Sequence, residues 1–353
     1  MQLKDICCAQ SSNIALKDLK HNSGPYPIYG ASGFITCVDF FKVDKPYVGV
    51  VKDGAGVGRV MLLPEKSSVI GTMQSIIPTA GTDAKYLSYL LDFLDLGRFC
   101  SGATIPHIYF KDYGKETIPT HSPEQQQEIS AALDKITKLI ALRQGQLAKL
   151  DQLAKSRFIE MFGDPIANPK SWTTGKLSEV TDKIGSGATP QGGKESYITS
   201  GISLIRSMNI HNGKFEYKDL AHITEEQAQQ LNNVNVKSKD VFINITGASV
   251  ARSCVVPDDV LPARVNQHVS IIRCKQNILN PIFANSLFIS LPYQRTLLAI
   301  GESGGATRQA ITKQQLENLM IILPSLELQN EFSAFVEQLD KSKLADQIYE
   351  VAA

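Results

Sequence analysis

The chain has 353 residues, of which 43% are hydrophobic and 20% charged, the composition of an ordinary globular protein with room for two domains. No apolar run reaches the length of a membrane span, and the N-terminus lacks the basic region and apolar core of a signal peptide, so we expect a cytoplasmic protein. The net charge of +1 neither favours nor excludes nucleic acid, because a basic face can occur in a neutral protein.

The six cysteines and six histidines are scattered through the chain. No two cysteines have the C-x-x-C spacing, so we expect reduced thiols rather than a disulfide framework. The histidines lack the H-E-x-x-H pattern and any comparable ligand spacing. The sequence therefore predicts no metal site.

The first 121 residues consist of short apolar runs separated by turns, followed by a segment with helical spacing. The runs have the length and residue types of strands, and they occupy residues 25–36, 46–51, 59–64 and 74–79. Four leucines recur on one side of a helix predicted near residues 85–99. We expect a β-rich domain over residues 1–121.

One long helix is predicted over residues 122–163. Ser122 is a candidate N-cap, Pro123 suits the first helical position, and Gly163 ends the helix. Roughly 40 residues at about 1.5 Å each would make a rod on the order of 60 Å long. A core helix of an all-α domain is the alternative, but both flanking regions are β-rich and a bundle would need more helices.

Heptad positions of this helix form an apolar seam typical of a coiled coil. Arg143 and Arg157 interrupt the seam, and we expect them to face the part that a shorter partner helix does not cover. The seam residues predicted to contact other helices or subunits are Ile129, Leu133, Ile136, Ile140, Leu147 and Leu150.

Residues 164–324 repeat the style of the first domain. Apolar runs predict strands at residues 200–210, 240–247, 251–257 and 268–274. A helix is predicted over residues 281–300. From residue 325 to residue 353 the pattern is helical again, with Phe332, Val336 and Leu339 as predicted interface residues.

The two halves align with each other in two registers, which indicates a tandem duplication of a β-rich domain and a long helix. At an offset of 193 residues Gly54 corresponds to Gly247 and Arg59 to Arg252, and the same offset places Gln74 on Gln267. At an offset of 203 the segment 102–104 corresponds to 305–307, Gln126 to Gln329, and Ile129 to Phe332. Within this alignment the first domain lacks a counterpart of residues 172–193.

A duplicated domain-plus-helix unit is expected to give approximate two-fold symmetry, with the two helices paired antiparallel. Such a molecule suits a ligand that has two recognition points at a fixed separation. B-form DNA is such a ligand, because half-sites roughly 34–36 Å apart lie on the same face of the duplex. The final helix has only about 25 residues by this estimate, so the pairing would be incomplete.

The sequence resembles the specificity (S) subunit of type I restriction–modification systems. The resemblance covers nearly the whole chain and depends on the order and duplication of its motifs. These motifs are the glycine-rich 54–59, the Gly-Ala-Thr triplets 102–104 and 305–307, the helix openings 122–129 and 323–329, and the helix end 158–163.

This resemblance implies an α+β protein with two β-rich mixed target recognition domains, joined by long helices that form an antiparallel coiled coil with pseudo-two-fold duplication. It implies a non-catalytic subunit whose recognition domains each read one half of a bipartite sequence in double-stranded DNA. The helices would dock two modification (methyltransferase) subunits and, through them, restriction (endonuclease and translocase) subunits. No cofactor is expected in this chain, since S-adenosylmethionine would bind the methyltransferase subunit. The predicted limits are 1–121, 122–163, 164–324 and 325–353.

Rival chemistries are not supported by the motifs. Residues 53–59 could cradle a phosphate, but their G-x-G-x-G spacing is not that of a dinucleotide loop. Residues 187–194 resemble a P-loop but have Ala188 where glycine is required, and no Ser or Thr follows Lys194. The chain contains no Asn/Asp-Pro-Pro-Tyr/Phe motif for amino-methylation. We therefore expect no catalysis by this chain.

Recognition of DNA needs hydrogen-bond donors on loops, and polar residues cluster between the predicted strands. For each of them a solvated loop or a turn cap is the alternative. Because Arg59 and Arg252 recur in both copies, they suit a shared role such as a phosphate contact, and an intradomain salt bridge would explain them equally well. The candidate DNA contacts are Lys52, Arg59, Gln74, Thr104, His107, Lys111, Arg206, Asn209, Thr246, Ser249, Arg252, Arg264, Asn266, Gln267, Thr307 and Arg308.

Two other functions remain open from the residues alone. The chain could be a scaffold on which two β-rich domains bind proteins rather than DNA. It could also be the specificity subunit of a combined restriction–methylation enzyme outside type I.

Overall fold

The computed structural model describes residues 1–102, 106–190, 192–302 and 309–351, with side chains up to residue 343. The chain divides into two compact units, Met1–Arg143 and Gln144–Ala353. None of the described helices is long and apolar enough to cross a membrane. The α-helices are α1 Ala84–Phe93, α2 Phe110–Tyr113, α3 Pro123–Phe162, α4 Glu225–Gln230, α5 Pro281–Ile289, α6 Leu291–Glu302, α7 Lys313–Glu317 and α8 Leu326–Val351.

Short strands account for most of the remaining regular structure. In the first unit they are β1 Cys7–Ser11, β2 Tyr26–Gly30, β3 Gly33–Val38, β4 Tyr47–Val51, β5 Val60–Leu63, β6 Ser68–Val69 and β7 Met73–Pro78. In the second they are β8 Thr174–Lys176, β9 Thr181–Ser186, β10 Ile202–Ile205, β11 Ile210–His211, β12 Lys214–Phe215, β13 Ala221–Ile223, β14 Val241–Asn244, β15 Ser253–Val255, β16 Ala263–Val265, β17 Val269–Cys274 and β18 Met320–Ile322.

The two units have the same pair of sheets. The first has an antiparallel sheet in the order β1-β7-β4-β5, and the second has β9-β17-β14-β15. Each also has a three-stranded mixed sheet, β3-β2-β6 or β13-β10-β16, in which the central strand pairs antiparallel on one side and parallel on the other. The α+β class and the duplication of two β-rich mixed domains are therefore confirmed.

One of the two central strands of each four-stranded sheet, β4 or β14, is buried on both faces. In the first unit Val48 and Val50 pack with the leucines of α1, whereas Tyr47 and Val51 pack with Met73 on the other face. Strand β14 alternates in the same way between two apolar clusters. A helix covers one face of each strand and a sheet covers the other. Because both faces are buried, the sequences of these strands are continuous apolar runs.

The structure corrects one register of the repeat. Gln74 pairs across the sheet with Val50, and the equivalent of Val50, which is Ile243, pairs with Ser270. The predicted equivalence of Gln74 and Gln267 is therefore wrong. The connection between the two central strands is three residues longer in the second unit, and a constant offset cannot follow that insertion.

The predicted absence of a first-unit counterpart for residues 172–193 is also wrong. The backbone N–H of Leu3 donates to Glu116 at 3.0 Å, and that of Leu177 donates to Leu319 at 2.9 Å. Strand β1 then pairs with β7 as β9 pairs with β17. A third register, with an offset of 174 residues, relates these N-terminal segments.

Helix α3 is 40 residues long, as the pattern predicts, and its C-terminal end is part of the second unit's core. Phe158 and Phe162 pack on Phe283 of α5 and Phe332 of α8, with ring centroids 4.8–5.8 Å apart. The carbonyl of Phe162 also accepts the indole N–H of Trp172 at 2.9 Å. Aromatic packing thus fixes this end of α3.

Helix α8 runs antiparallel to the second half of α3, as predicted. Asp151 contacts Lys343 at 2.8 Å, and Arg157, further along α3, contacts Glu331, nearer the start of α8, at 3.0 Å. The guanidinium of Arg157 also lies over the ring of Phe335. The expectation that Arg157 faces an uncovered part of the seam is therefore wrong.

The predicted interface residues divide into three groups by burial. Phe332 and Leu339 are buried within the second unit, so the structure contradicts a role for them in contacting another subunit. Val336 packs against the same core. In contrast, Ile136 and Ile140 are 52% and 48% exposed on α3. The remaining members, Ile129, Leu133, Leu147 and Leu150, are half-buried.

All six cysteines are free thiols, as expected. Burial raises the pKa of Cys7, Cys254 and Cys274 to about 12, so these three thiols stay neutral at physiological pH.

We predict that Phe162→Ala lowers the free energy of unfolding of the second unit by about 3–5 kcal/mol, because it leaves a cavity among four aromatic rings. Trp172 is the only tryptophan of the chain and contacts Phe162, so its fluorescence reports this transition in a urea titration. Ile159→Ala, at an exposed position of the same helix, should change the free energy of unfolding by less than about 1 kcal/mol. Equal effects of the two substitutions would contradict the packing.

Candidate nucleic-acid interface

The loop that connects β4 to β5 in the first unit is a tightly bonded turn. Gly54 and Gly58 have φ values of 93° and 87°, which favour glycine. The backbone N–H of Gly58 donates to Val51 at 2.9 Å, and that of Arg59 donates to Gly56 at 3.0 Å. A Cβ at Gly58 would lie 2.5 Å from the backbone nitrogen of Gly97, so the close approach of two backbones requires glycine there.

A second segment is hydrogen-bonded to this loop. The N–H of Gly54 donates to Pro106 at 2.9 Å, and the N–H of Ile108 donates to Lys52 at 3.0 Å. We call residues 52–59 with 106–108 the first loop junction. It brings Lys52 and His107 together, although they are far apart in the sequence.

The second unit contains the same junction, formed by residues 245–252 with 309–311. The N–H of Gly247 donates to Gln309 at 2.9 Å, and the N–H of Ile311 donates to Ile245 at 2.8 Å. Residues 52–59 correspond to 245–252 at an offset of 193, and residues 106–108 correspond to 309–311 at an offset of 203. Both registers of the sequence repeat therefore contribute to the same structural feature. The second loop junction shows that the duplication extends to individual hydrogen bonds.

The first loop junction carries basic and aromatic side chains. Lys52 is half-buried, with its amine 3.9 Å from the Asp53 carboxylate. The His107 ring lies edge-on against the Tyr109 ring, with centroids 4.9 Å apart. The amine of the exposed Lys111 lies 5.0 Å from the centroid of the Tyr109 ring. The structure therefore places two predicted residues, His107 and Lys111, against Tyr109, which the sequence reasoning missed.

Arg59, at the far end of this loop, is exposed and donates from Nη1 to the carbonyl of Ala31 at 2.8 Å. Its equivalent Arg252 is half-buried and makes no side-chain hydrogen bond or ion pair with the part of the chain that the structure describes. Neither arginine forms a salt bridge among the described residues, so an intradomain salt bridge does not explain their recurrence.

A chain of hydrogen-bonded polar side chains lies at the second loop junction. The hydroxyl of Thr246 and Nδ1 of His268 are 2.5 Å apart, and Nε2 of His268 is 3.2 Å from the amide nitrogen of Gln267. The hydroxyl of Thr189 in turn donates to the amide oxygen of Gln267. Thr189 was missed because it lies far from the others in the sequence. Ser249 is half-buried in the same loop.

Four predicted DNA contacts are wrong, because their side chains are buried and bonded inside their own unit. Gln74 donates to the hydroxyl of Tyr113 at 2.6 Å. Asn209 accepts from the backbone of Arg206 and donates to Glu216, and Asn266 accepts from the backbone of His268 at 3.0 Å. The fourth residue is Arg264.

The Arg264 guanidinium is held by four hydrogen bonds inside the second unit. It donates to the carbonyls of Ala228 and Ala263, both at 3.0 Å, and to the side chains of Asn235 and Asn232 at 2.9 and 3.1 Å. Burial lowers the pKa of this guanidinium from its ordinary value. Arg264 therefore stabilises the strand–helix packing and does not contact DNA.

Arg206 lies at the end of β10 and is half-buried. Its guanidinium lies over the Tyr197 ring at 5.4 Å and donates from Nη2 to the carbonyl of Asp219, whereas its Nε is buried without a described hydrogen-bond partner. Three other predicted contacts, Thr104, Thr307 and Arg308, lie outside the described residues.

The described residues contain no group of three or more His, Cys, Asp or Glu side chains that could hold a metal ion. Both loop junctions instead carry hydrogen-bonding side chains, and the first also carries an aromatic face and positive charge. This arrangement suits the binding of a polyanion that is also read by hydrogen bonds.

The chain matches the model of the family described as "Type I restriction modification DNA specificity domain" over residues 1–152 and 169–351. The EcoBI specificity subunit of Escherichia coli is 28% identical over 203 residues, which cover 57% of this chain and 42% of that protein. The MjaIX specificity subunit of Methanocaldococcus jannaschii is 24% identical over 310 residues, which cover 81% of this chain and 69% of that protein. The chain thus spans less than half of the first relative's length.

Two solved structures share the fold. One is a type I restriction–modification S subunit from M. genitalium, with a TM-score of 0.61 and 16% identity over 99% of this chain and 90% of that one. The other comes from a study of complex assembly and conformational transition of the type I R-M system. Its TM-score is 0.54, and it is 17% identical over 100% of this chain and 92% of that one.

We predict that Arg264→Met lowers the free energy of unfolding of the second unit by about 2–3 kcal/mol, because it leaves buried carbonyl and amide oxygens without donors. Urea denaturation monitored by Trp172 fluorescence measures the change. Arg252→Met is the matched control and should stay within about 0.5 kcal/mol of wild type. A stable Arg264→Met protein would restore the possibility that this residue faces a ligand.

Proposed function

Because the chain belongs to the family of type I restriction modification DNA specificity domains, we propose that it is the non-catalytic subunit that recognises a bipartite sequence in double-stranded DNA. The observation that carries this proposal is the duplicated loop junction. Two units that repeat the same backbone framework, each with its own polar side chains, suit a ligand with two half-sites. Because the substrate would be the DNA of the cell, we place the protein in the cytoplasm.

The side chains of the two junctions support unlike half-sites. In the first, Lys52 and Lys111 would contact phosphates, and His107 would lie near base edges. In the second, Thr246, Gln267 and the neighbouring Thr189 and His268 offer hydrogen-bonding side chains at the same place, without a lysine. Different donor patterns select different base pairs in the major groove.

The exposed middle of α3 supports docking of a modification subunit. Ile136, Leu139, Ile140 and Leu142 are all exposed there, and large apolar side chains that cluster on a surface mark interaction sites. Between residues 135 and 150 every charged residue is basic. We propose that a methyltransferase subunit with an apolar and acidic surface binds this stretch, carries S-adenosylmethionine and recruits restriction subunits.

Co-purification with the modification subunit encoded beside this chain, followed by methylome sequencing, tests the proposal. We expect methylation at one split motif with two defined halves and a fixed gap. Methylation without a split motif, or the absence of methylation, would contradict it.

In a mobility-shift assay, Lys111→Ala should weaken DNA binding and reduce the slope of log K against log salt by about 1, because one phosphate contact is lost. Lys66→Ala is the matched control, because this exposed lysine follows β5 at the opposite end of the strand from the first loop junction. An unchanged slope in Lys111→Ala would remove this residue from the interface.

Ile140→Glu should weaken binding of the modification subunit by at least about tenfold, because it places a charge in an apolar contact. Ile159→Glu introduces the same charge at an exposed position of the same helix outside the proposed surface and should bind normally. Isothermal titration of the two variants with the purified modification subunit separates the outcomes. Equal affinities would contradict docking on the middle of α3.

A further inference from the structure

Gln126 lies in the first turn of α3 and is only 6% exposed. Its amide oxygen accepts the backbone N–H of Asp83 at 2.9 Å. Its amide nitrogen donates to the carbonyls of Gly81 at 3.0 Å and His121 at 3.1 Å. One side chain therefore joins three segments of backbone.

Gln329 lies in the first turn of α8 and is 0% exposed. Its oxygen accepts the backbone N–H of Asn280 at 2.8 Å, and its nitrogen donates to the carbonyls of Ile278 at 3.0 Å and Pro324 at 2.9 Å. The three partners occupy the same positions as in the first unit. They are the N-cap residue of a domain helix, the residue two positions before it, and the residue five positions before the glutamine.

The two N-cap residues are themselves fixed by the helices that they cap. The Asp83 carboxylate accepts the N–H of Tyr86 at 2.8 Å, and the Asn280 amide oxygen accepts the N–H of Ile282 at 2.9 Å. Each glutamine thus connects the start of a long helix to the capped start of a domain helix. Only an amide of this length supplies one acceptor and two donors at such a place, because glutamate lacks the donors and lysine lacks the acceptor.

The rest of the contact between domain and long helix differs in the two units. In the first, Asp134 of α3 accepts from Lys85 at 2.6 Å and from the hydroxyl of Tyr89 at 2.8 Å. In the second, α8 contacts the domain helix α5 through Asn330, which accepts from the Asn280 amide at 2.9 Å, and through Phe332, which lies in the same apolar cluster as Phe283. The hydrogen bonds of the two glutamines are therefore the same in both units, although the surrounding contacts differ. This indicates a role that both copies need.

We propose that Gln126 and Gln329 are positioning residues that set the direction in which each long helix leaves its recognition domain, and so the gap at which two half-sites are accepted. This inference rests on the proposed function. An orientation held by three hydrogen bonds has little freedom, because each bond requires both distance and alignment. Loss of the donors leaves the two carbonyls unsatisfied and lets the helix tilt to recover solvent or other partners.

The test uses the complete complex with the modification subunit and a set of duplexes. Both half-sites, identified from the wild-type methylome, stay fixed while the gap changes one base pair at a time. We expect wild type to prefer one gap strongly. In Gln126→Glu and Gln329→Glu the ratio of methylation at the preferred gap to that at the neighbouring gaps should fall at least about fivefold, the effect of one net hydrogen bond. The bases required in each half-site should not change.

Gln127→Glu and Gln338→Glu are the matched controls, because they introduce the same charge at exposed glutamines of the same two helices. They should keep the wild-type gap ratio. A variant that merely lowers stability would reduce methylation equally at every gap, and that result would overturn the proposal. An unchanged ratio in both Gln126→Glu and Gln329→Glu would also overturn it.

The pH dependence supplies an independent readout. A glutamate among buried carbonyls has a raised pKa, and its neutral form can donate one hydrogen bond to a carbonyl. The loss of stability relative to wild type should be small near the ordinary glutamate pKa of about 4.3 and should grow as pH rises above it. A loss that does not depend on pH would contradict the hydrogen-bonded placement.

If the wild-type complex methylates no split motif, the proposed function fails and the gap assay has no substrate. If wild type methylates a split motif and the gap ratio is unaffected in the variants, only the positioning role fails. The two failures are therefore distinguishable.

Discussion

Each copy of the repeated unit depends on one buried amide that bonds three pieces of backbone. Gln126 and Gln329 make the same hydrogen bonds although the helices around them pack through different side chains. Buried peptide groups must have partners, so the turn before each domain helix can approach the long helix only where such a side chain is present. Sequence divergence around this contact is therefore tolerated more readily than change in the contact itself.

The long helix and the duplication could be predicted because they depend on local rules. Ser122 accepts the N–H of Gln125 and the Gln125 side chain accepts the N–H of Ser122, so the cap read from the sequence is formed. The register of a repeat is less secure. A constant offset fails wherever a loop gains residues, which is why Gln74 was aligned with Gln267 although its structural equivalent is Ser270.

Four of the predicted DNA contacts were wrong for a different physical reason. A polar residue between two strands can face solvent or fill a buried hydrogen-bonding site, and its sequence neighbours do not distinguish the two. Arg264 donates to four partners distributed over residues 228–263. The sequence around Arg264 does not predict these partners. Thr189 lies next to Gln267 only through tertiary structure, so sequence reasoning could not find it.

The loop junctions keep one backbone framework in both units while their side chains differ, which suits the proposed recognition of two different sequences. Their backbone hydrogen bonds are the same, yet Asp53 and His107 of the first stand where Thr246 and Ala310 stand in the second. The framework needs only glycine at the turn and paired peptide groups, so its outward side chains can change without loss of stability. Recognition can therefore diverge between the copies while the buried amides keep the attachment of each long helix constant.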